Sequence, residues 1–253
     1  MKYNIEKDVP YIEGSKNPRQ ELDIYRPQNA VGKRLPTIVY FHGGGWEFGE
    51  KENAIRRLEN FFDTGYLMIA VGYRLSDEAI WPAPMDDAVA ALKFIENQIP
   101  DVDTERIALW GSSAGGHIAC LLAGGCRSDT MPKLKCVVNY CAPVTINHFV
   151  MKLRGEARAN SPVMKLLGGD HEKTEELAEE AAVTSWIKPG YPVTLSVHGD
   201  KDNVVPIEQS QILTQSIKEV GSEAFFHIAK DSEHRVDSLE VRQEVKAFLS
   251  KYL

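Results

Sequence analysis

The sequence lacks both a basic cluster and a long apolar run. Its 253 residues include 29 Lys and Arg against 36 Asp and Glu, which gives a formal net charge of -7. An acidic surface repels nucleic-acid phosphates and anionic lipid headgroups, so we expect neither nucleic acid nor a membrane as a partner. No apolar run approaches the roughly 20 residues that a bilayer-spanning helix needs.

Cysteine is also scarce. The four cysteines are Cys120, Cys126, Cys136 and Cys141, and none belongs to a Cys-x-x-Cys pair. Residues 1–8 have neither the apolar core nor the small-residue cleavage site of a signal peptide. Without an export signal, buried free thiols are more plausible than disulfides. We therefore expect a cytoplasmic protein without a structural disulfide.

Apolar runs typical of buried strands alternate with segments of helical periodicity. Strands are predicted over residues 21–26 (an antiparallel edge strand), 36–42, 67–73, 106–111, 135–141, 191–198 and 224–229. Helices are predicted over residues 53–64, 85–98, 207–220 and 236–252, with one more directly after residue 113. The alternation predicts one α/β domain over residues 1–253, with a mostly parallel sheet and helices on both faces.

Residues 144–190 interrupt this alternation. Residues 147–154, 161–167 and 172–182 predict two or three short helices inserted between strands. The acidic side chains of the last segment are typical of a solvated face. The functional interpretation of the insert is a small lid over a binding site.

A catalytic motif follows the predicted strand 106–111. Gly111-Ser112-Ser113-Ala114-Gly115 matches the Gly-x-Ser-x-Gly nucleophile elbow. Such a turn holds its serine in a strained backbone conformation, and the glycines leave room where the helix and the strand meet. The same five residues also fit a glycine-rich turn with a surface serine. The strand–turn–helix context favours Ser113 as a nucleophile.

A serine hydroxyl needs a base to take its proton and an acid to orient that base. Asp202 lies in the loop after strand 191–198, and His234 lies in the loop after strand 224–229. Parallel sheets place their sites at the carboxyl ends of strands, and Ser, Asp, His is the chain order of one known class of triads. Asp200 stays open as an alternative orienting acid, to be decided by hydrogen-bond geometry.

His198, Asp200 and Asp202 also have side chains that suit Zn²⁺ or Mn²⁺. The sequence offers no matching second ligand cluster, so we predict no metal.

The loop after strand 36–42 offers donors for an oxyanion. His42-Gly-Gly-Gly-Trp46 lets the backbone turn its amides toward a ligand. Acyl transfer needs such N–H groups in place before negative charge develops. We predict that the N–H groups of Gly44, Gly45 and Ala114 form the oxyanion hole; the alternative is an ordinary glycine-rich turn.

Together these motifs resemble the α/β-hydrolase superfamily, in particular the hormone-sensitive-lipase-like and BD-FAE-like esterases. The resemblance is carried by residues 42–46, 73–75, 84–88, 111–117, 198–206 and His234. It implies an α/β-hydrolase fold and ester hydrolysis through an acyl-enzyme without a cofactor. It also implies that Ser113, Asp202 and His234 are catalytic, and that Asp87 gives structural support near the elbow.

The chain departs from these families in two places. Its N-terminal segment is short, whereas larger lipase-like members add a helical cap there, so we expect any cap to come mostly from residues 144–190. The residue before His234 is not the glycine that many relatives place there. A small cap suggests an open pocket and a small ester substrate with a short acyl group. Trp46, Tyr73, Trp81 and Trp186 are candidate pocket walls, although each also fits a core position.

Three further questions stay open from sequence. Formylkynurenine-hydrolysing arylformamidases share a motif like residues 42–46, so a formamide is an alternative substrate. A non-catalytic small-molecule binding protein on the same fold is a second alternative. Both a monomer and a homodimer are compatible with the sequence.

Overall fold

A computed structural model describes residues 2–28, 30, 32–128, 130, 132–148 and 155–253. Eight strands form one sheet: β1 Tyr3–Pro10, β2 Glu21–Pro27, β3 Leu35–Phe41, β4 Leu67–Val71, β5 Val102–Ser112, β6 Leu134–Tyr140, β7 Val193–Gly199 and β8 Ala224–Ala229. Their order is β1-β2-β4-β3-β5-β6-β7-β8. The β1–β2 and β2–β4 pairs are antiparallel, and the other five pairs are parallel.

The helices follow the strands in alternation. They are α1 Ile55–Leu58, α2 Ala83–Gln98, α3 Ala114–Gly124, α4 Gly155–Ala159, α5 Pro162–Leu166, α6 Thr174–Glu180, α7 Glu208–Glu219 and α8 Leu239–Tyr252. Short 3₁₀ turns cover Pro18–Gln20, Lys51–Ala54, Glu59–Phe61 and Val183–Trp186. Within the described residues, no helix combines the length and the apolarity needed to cross a bilayer.

The two faces of the sheet are buried in two separate apolar clusters. Along β3, Val39 and Phe41 join the cluster that contains α2, α3 and α7, whereas Ile38 and Tyr40 join the cluster that contains α1 and α8. This alternation follows from the two-residue period of a strand. It explains why the parallel strands read as continuous apolar runs in the sequence. The four cysteines are buried and free.

Two sequence expectations about the periphery were wrong. Residues 21–26 are not an edge strand, because β2 lies between β1 and β4. The edge is β1, which carries mostly exposed side chains and therefore has no apolar pattern to reveal it. The expected helix over residues 53–64 is instead one short α-helical turn flanked by 3₁₀ turns.

The insert over residues 144–190 contains short helices, as predicted, although part of the expected segment 147–154 (residues 149–154) lies outside the described residues. Gln209 of α7 holds the start of the insert, because its Oε1 accepts the N–H groups of Val144 and Thr145 at 2.8 and 2.9 Å. Further along, the Leu166 carbonyl accepts the N–H of Trp81 at 2.7 Å.

The insert is also bonded to α3. His117 is fully buried, and its Nε2 lies 2.7 Å from the Ala181 carbonyl oxygen. A carbonyl only accepts, so Nε2 carries the proton and donates it. Burial lowers the pKa of His117 to about 4, against the opposing effect of this hydrogen bond. The imidazole is therefore neutral at pH 7.

Backbone contacts fix α3 against the sheet. A Cβ at Gly115 would lie 2.1 Å from the Phe41 carbonyl oxygen and 2.4 Å from the His42 carbonyl oxygen. A Cβ at Gly111 would lie 2.1 Å from the Gly115 carbonyl oxygen. Both glycines are thus required by the close approach of the first turn of α3 to the ends of β3 and β5.

The burial of His117 predicts a specific loss of stability in acid. The unfolded chain binds this proton near pH 6.5 and the folded protein near pH 4. The unfolded state therefore gains the proton first as pH falls, and the free energy of unfolding declines between these values by at most about 1.4 kcal/mol per pH unit. Urea titrations at pH 7, 6 and 5 should show a shallower decline for His117→Gln, which keeps a donor for Ala181. Parallel declines for the two proteins would contradict the neutral buried imidazole.

The glycine contacts predict a second, larger effect. Gly115→Ala should lower the free energy of unfolding by about 3 kcal/mol, because the new methyl group meets backbone oxygens that cannot move away freely. Gly190→Ala is the matched control. Gly190 has φ +86 but no atom within 4 Å of the added Cβ, so only the left-handed backbone cost of about 1 kcal/mol applies. Equal losses in denaturant titrations would show that the close approach at Gly115 is not limiting.

Candidate active site

Ser113 sits at the turn between β5 and α3, with φ 55° and ψ −118°. This is a strained conformation for a residue with a side chain. The turn is held on the neighbouring strand, since the Ser113 N–H donates to the Tyr140 carbonyl at 2.7 Å. The side chain is half-buried. Backbone packing thus presents this hydroxyl at the carboxyl edge of the sheet.

Asp202 and His234 are brought together by the loops after β7 and β8. His234 Nδ1 lies 2.7 Å from Asp202 Oδ2. The carboxylate is fully buried and the imidazole side chain is 21% exposed. The carboxylate can only accept, so Nδ1 carries the proton and Nε2 keeps a lone pair. Asp200 instead accepts the Ser232 N–H at 3.3 Å, so the hydrogen bond to His234 comes from Asp202.

The second carboxylate oxygen of Asp202 is bonded as well. Asp202 Oδ1 accepts the N–H groups of Val204 and Val205, each at 2.9 Å. Burial by itself raises the pKa of Asp202, but the hydrogen bonds from His234, Val205 and Val204 outweigh burial and leave the pKa below its ordinary value. Asp202 is therefore a buried negative charge at neutral pH, stabilised by donors on both oxygens.

No hydrogen bond joins Ser113 Oγ to His234 Nε2 in the part of the chain that the structure describes. Both side chains are partly exposed at the same sheet edge, at the ends of β5 and β8. Catalytic hydrogen bonds in ligand-free enzymes are often long and tighten when substrate binds. The structure thus gives the acid–base pair and the elbow, and leaves the serine–base contact as a prediction.

The glycine loop after β3 is shaped by His42. His42 Nδ1 lies 2.8 Å from the Gly43 carbonyl oxygen, and the ring stacks on Tyr73 at 4.3 Å between centroids. The Tyr73 hydroxyl donates to the His42 carbonyl at 2.7 Å. Burial lowers the pKa of His42 to about 4, so the ring is neutral. The C=O and N–H of a trans peptide point in opposite directions, so fixing the Gly43 carbonyl also fixes the direction of the Gly44 N–H.

The predicted oxyanion donors are unbonded. Within the described ranges, the N–H groups of Gly44, Gly45 and Ala114 donate to no protein acceptor. Gly44 and Gly45 have φ of 129° and 60°, values that favour glycine. A Cβ on the preceding Gly43 would lie 3.4 Å from Ser113 Cβ, which places the loop beside the elbow. The arrangement can direct free N–H groups at a charge developing near Ser113.

The four aromatic residues predicted as pocket walls occupy different surroundings. Trp46 and Trp81 are 2% exposed and pack on His117, with ring centroids 5.1 and 6.1 Å away. Tyr73 is fully buried behind His42. Trp186 is partly buried, and its Nε1 donates to the Glu180 carbonyl at 2.8 Å. Each of the four aromatic side chains thus contacts other residues of the protein. Their contact with a substrate stays a prediction.

A cavity of about 510 Å³ lies beside His42 and the residues that follow the glycine loop. It is lined by Pro18, Arg19, His42, Glu47, Phe48, Gly49, Glu50, Lys51, Glu52, Gly72 and Tyr73. Ser113, Asp202 and His234 do not belong to this lining. The cavity therefore borders the candidate site without containing its reactive groups.

Two of the three residues considered as metal ligands from sequence, His198 and Asp202, lie close together in the structure. Ligand atoms of Cys141, His198 and Asp202 lie within 4.8 Å of one another, and Asp200 is not among them. His198 Nε2 lies 2.9 Å from the Val205 carbonyl oxygen, so this nitrogen is a donor and has no lone pair for a metal. Burial raises the pKa of Cys141 to about 12, so the thiol stays protonated. Cys141, His198 and Asp202 therefore fit a hydrogen-bond network better than a metal site.

Two positions near the site were missed by the sequence reasoning. A Cβ on Gly199 would lie 2.2 and 2.4 Å from the carbonyl oxygens of Ser232 and Glu233, so glycine lets the His234 loop cross the end of β7. The sequence directed attention to the residue before His234, whereas the glycine lies on the neighbouring strand. Ser210, on α7, bonds to His198 at 2.7 Å, and no local motif indicates it.

Comparison with known proteins agrees with this architecture. The chain matches 225 residues of the esterase LipQ from Mycobacterium tuberculosis, at 25% identity over 85% of this chain and 53% of LipQ. A truncated carbohydrate esterase from gut microbiota superposes with a TM-score of 0.87 at 23% identity, covering 98% of this chain and 95% of that one. Inhibited esterase B from Lactobacillus rhamnosis superposes with a TM-score of 0.82 at 23% identity, covering 98% and 87%.

The chain spans about half the length of LipQ. The solved structures, at this level of identity, establish the α/β-hydrolase fold. The BD-FAE family model matches residues 22–217, a span that contains β2 to most of α7 and the elbow at Ser113. The chain is therefore a member of the BD-FAE family within the α/β-hydrolase superfamily.

Proposed function

We propose that this protein is a serine carboxylesterase that hydrolyses small esters with short acyl groups through an acyl-enzyme. The observation that carries the proposal is the 2.7 Å hydrogen bond between the buried carboxylate of Asp202 and the partly exposed imidazole of His234. It holds an imidazole with a free Nε2 lone pair at the sheet edge where the strained elbow presents Ser113. A structural ion pair would not need a strained serine and a loop of unbonded N–H groups beside it.

The proposed reaction begins with His234 Nε2 taking the proton of Ser113 Oγ as this oxygen attacks the ester carbonyl carbon. Asp202 keeps the imidazole in the Nδ1–H tautomer and stabilises the imidazolium that forms. The N–H groups of Gly44, Gly45 and Ala114 stabilise the negative charge on the former carbonyl oxygen. His234 then gives the proton to the leaving alcohol, and the acyl group stays on Ser113.

Hydrolysis of the acyl-enzyme repeats these steps with water. His234 removes a proton from the water as it attacks the acyl carbon, and the proton returns to Ser113 Oγ as the carboxylic acid leaves. Every group required is a side chain or a backbone amide of this chain, so the proposed chemistry needs no cofactor.

Short acyl groups are supported by the insert and by relatives. The described helices of the insert, α4 to α6, have only five to seven residues each, and such a cap covers little apolar chain. The fold relative Est2 from Thermogutta terrifontis was solved with propionate and with butyrate bound, and another relative is a carbohydrate esterase. We propose acetyl to butyryl esters, including acetylated sugars, as the substrate class.

Ser113→Ala should lower kcat for p-nitrophenyl butyrate by about 10⁴-fold, because attack by the serine oxygen is lost. The matched control is Ser112→Ala, which removes the neighbouring hydroxyl from the same turn and should change kcat by only a few-fold. Circular dichroism checks that both variants fold. A fluorophosphonate probe should label the parent protein and Ser112→Ala, but not Ser113→Ala. Retained activity in Ser113→Ala would refute the nucleophile, and a parent protein without labelling or hydrolysis would favour a binding protein.

A substrate panel tests the acyl preference. We expect kcat/KM to be highest for p-nitrophenyl acetate to butyrate and about tenfold lower for the decanoate, because a long chain finds little apolar surface to bury. Acetylated xylo-oligosaccharides, methyl ferulate and N-formylkynurenine complete the panel. Fastest turnover of N-formylkynurenine would replace the ester proposal by the arylformamidase alternative. Fastest turnover of the decanoate would contradict a small pocket.

A further inference from the structure

A second buried histidine contacts the candidate catalytic acid. His198 is the sixth residue of β7 and is fully buried. Its Nε2 lies 3.1 Å from Asp202 Oδ2, the oxygen that also accepts the Nδ1–H of His234. The two imidazoles therefore meet at one carboxylate oxygen, His234 from the solvent side and His198 from the interior.

The protonation state of His198 follows from its partners. Nε2 faces two acceptors, the Asp202 carboxylate at 3.1 Å and the Val205 carbonyl at 2.9 Å. Nε2 must therefore carry a proton, which it donates to the Val205 carbonyl, with Asp202 Oδ2 beside it at 3.1 Å. Nδ1 lies 2.7 Å from Ser210 Oγ. Burial lowers the pKa of His198, although Val205 and Asp202 oppose this shift, so the ring is neutral and Nδ1 accepts the Ser210 hydroxyl proton.

We propose that His198, oriented by Ser210, is a positioning residue that holds Asp202 in the geometry required to orient His234. Val204 and Val205 donate to Oδ1, and the protonated Nε2 of His198 lies 3.1 Å from Oδ2, so contacts at both oxygens oppose rotation of the carboxylate. The Val205 carbonyl, bonded to the same Nε2–H, ties the loop that carries Asp202 to β7. This inference rests on the proposed function, since it concerns the rate at which the Asp202–His234 pair acts on Ser113.

Cys141 also lies beside the carboxylate. The ligand atoms of Cys141, His198 and Asp202 lie within 4.8 Å of one another, and burial keeps the Cys141 thiol protonated. His198 presents an N–H to Oδ2 from inside the protein, at 3.1 Å, and the Cys141 thiol also hydrogen-bonds to Asp202. A change at His198 should therefore act on catalysis through Asp202, without contact with substrate.

The first experiment replaces His198 in the full chain. His198→Leu removes the donor and should lower kcat for p-nitrophenyl butyrate about ten- to a hundredfold, the effect of losing one hydrogen bond to a charged group. KM should stay within about twofold, because His198 does not touch the substrate. His198→Gln, whose amide can again donate to Oδ2, should recover most of kcat. An unchanged kcat in His198→Leu, or equal losses in both variants, would overturn the inference.

A double-mutant cycle separates positioning from general destabilisation. In an Asp202→Asn background, the additional loss caused by His198→Leu should shrink to less than about threefold, because the carboxylate that His198 orients is gone. A fluorogenic butyrate ester measures the low residual rates. A purely structural role predicts the same fold-loss in both backgrounds, and that result would refute the inference.

A milder pair of variants avoids the risk that His198→Leu fails to fold. Ser210→Ala removes the hydroxyl that fixes the His198 tautomer and should lower kcat about three- to tenfold. Thr214→Val removes a hydroxyl one turn along α7 that donates to the Ser210 carbonyl, at 2.8 Å. This control should leave kcat within about twofold. Equal kcat in the two variants would contradict a role for Ser210.

Failure of this inference differs from failure of the proposed function. If Ser113→Ala abolishes hydrolysis while His198→Leu and Ser210→Ala keep the parent kcat, the esterase proposal stands and the positioning role falls. If Ser113→Ala keeps the parent rate, the proposed function falls first, and the positioning role falls with it.

Discussion

Contact between backbones at the carboxyl edge of the sheet determines the arrangement of this site. The first turn of α3 approaches the end of β3 so closely that only glycine fits at residue 115, and the turn itself requires glycine at residue 111. The carbonyl groups of Phe41 and His42 that contact Gly115 begin the loop with the candidate oxyanion donors. One packing contact thus positions both the elbow serine and that loop, which come from strands adjacent in space but distant in sequence.

The charge of Asp202 is also stabilised by groups from several parts of the chain. Asp202 remains charged in a buried position because the N–H groups of Val204, Val205 and His234 donate to its two oxygens, with Nε2 of His198 3.1 Å from Oδ2. The buried His42, His117 and His198 all have pKa values lowered by burial. Of these, His198 lies beside Asp202, so its neutral ring places no imidazolium charge against that carboxylate.

Much of this could be predicted from sequence, for identifiable reasons. Buried parallel strands read as apolar runs, so β3 to β8 were predicted within a few residues. β1 was missed because most of its side chains are exposed, so its sequence lacks the apolar pattern of a buried strand. The pairing of Asp202 with His234 could be inferred from chain order at strand ends. The contacts of His198 could not, because its tautomer depends on Val205 and on Ser210 from a separate helix. The residues that Trp46 and Tyr73 contact could not be predicted either, because they depend on the three-dimensional course of the loop.

The glycine loop is held at both ends, which bears on how it can stabilise charge. At one end, Tyr73 and Gly115 contact His42. At the other end, the Lys51 side chain is 4% exposed. Its Nζ lies 2.7 Å from Asp8, 2.8 Å from Glu52 and 3.6 Å from Glu21. Asp8 and Glu21 belong to the antiparallel strands β1 and β2. Donors stabilise a transition state most when they need no rearrangement as charge forms. The peripheral strands, which lie far from Ser113 along the sheet, therefore contribute to the site by fixing the distal end of its loop.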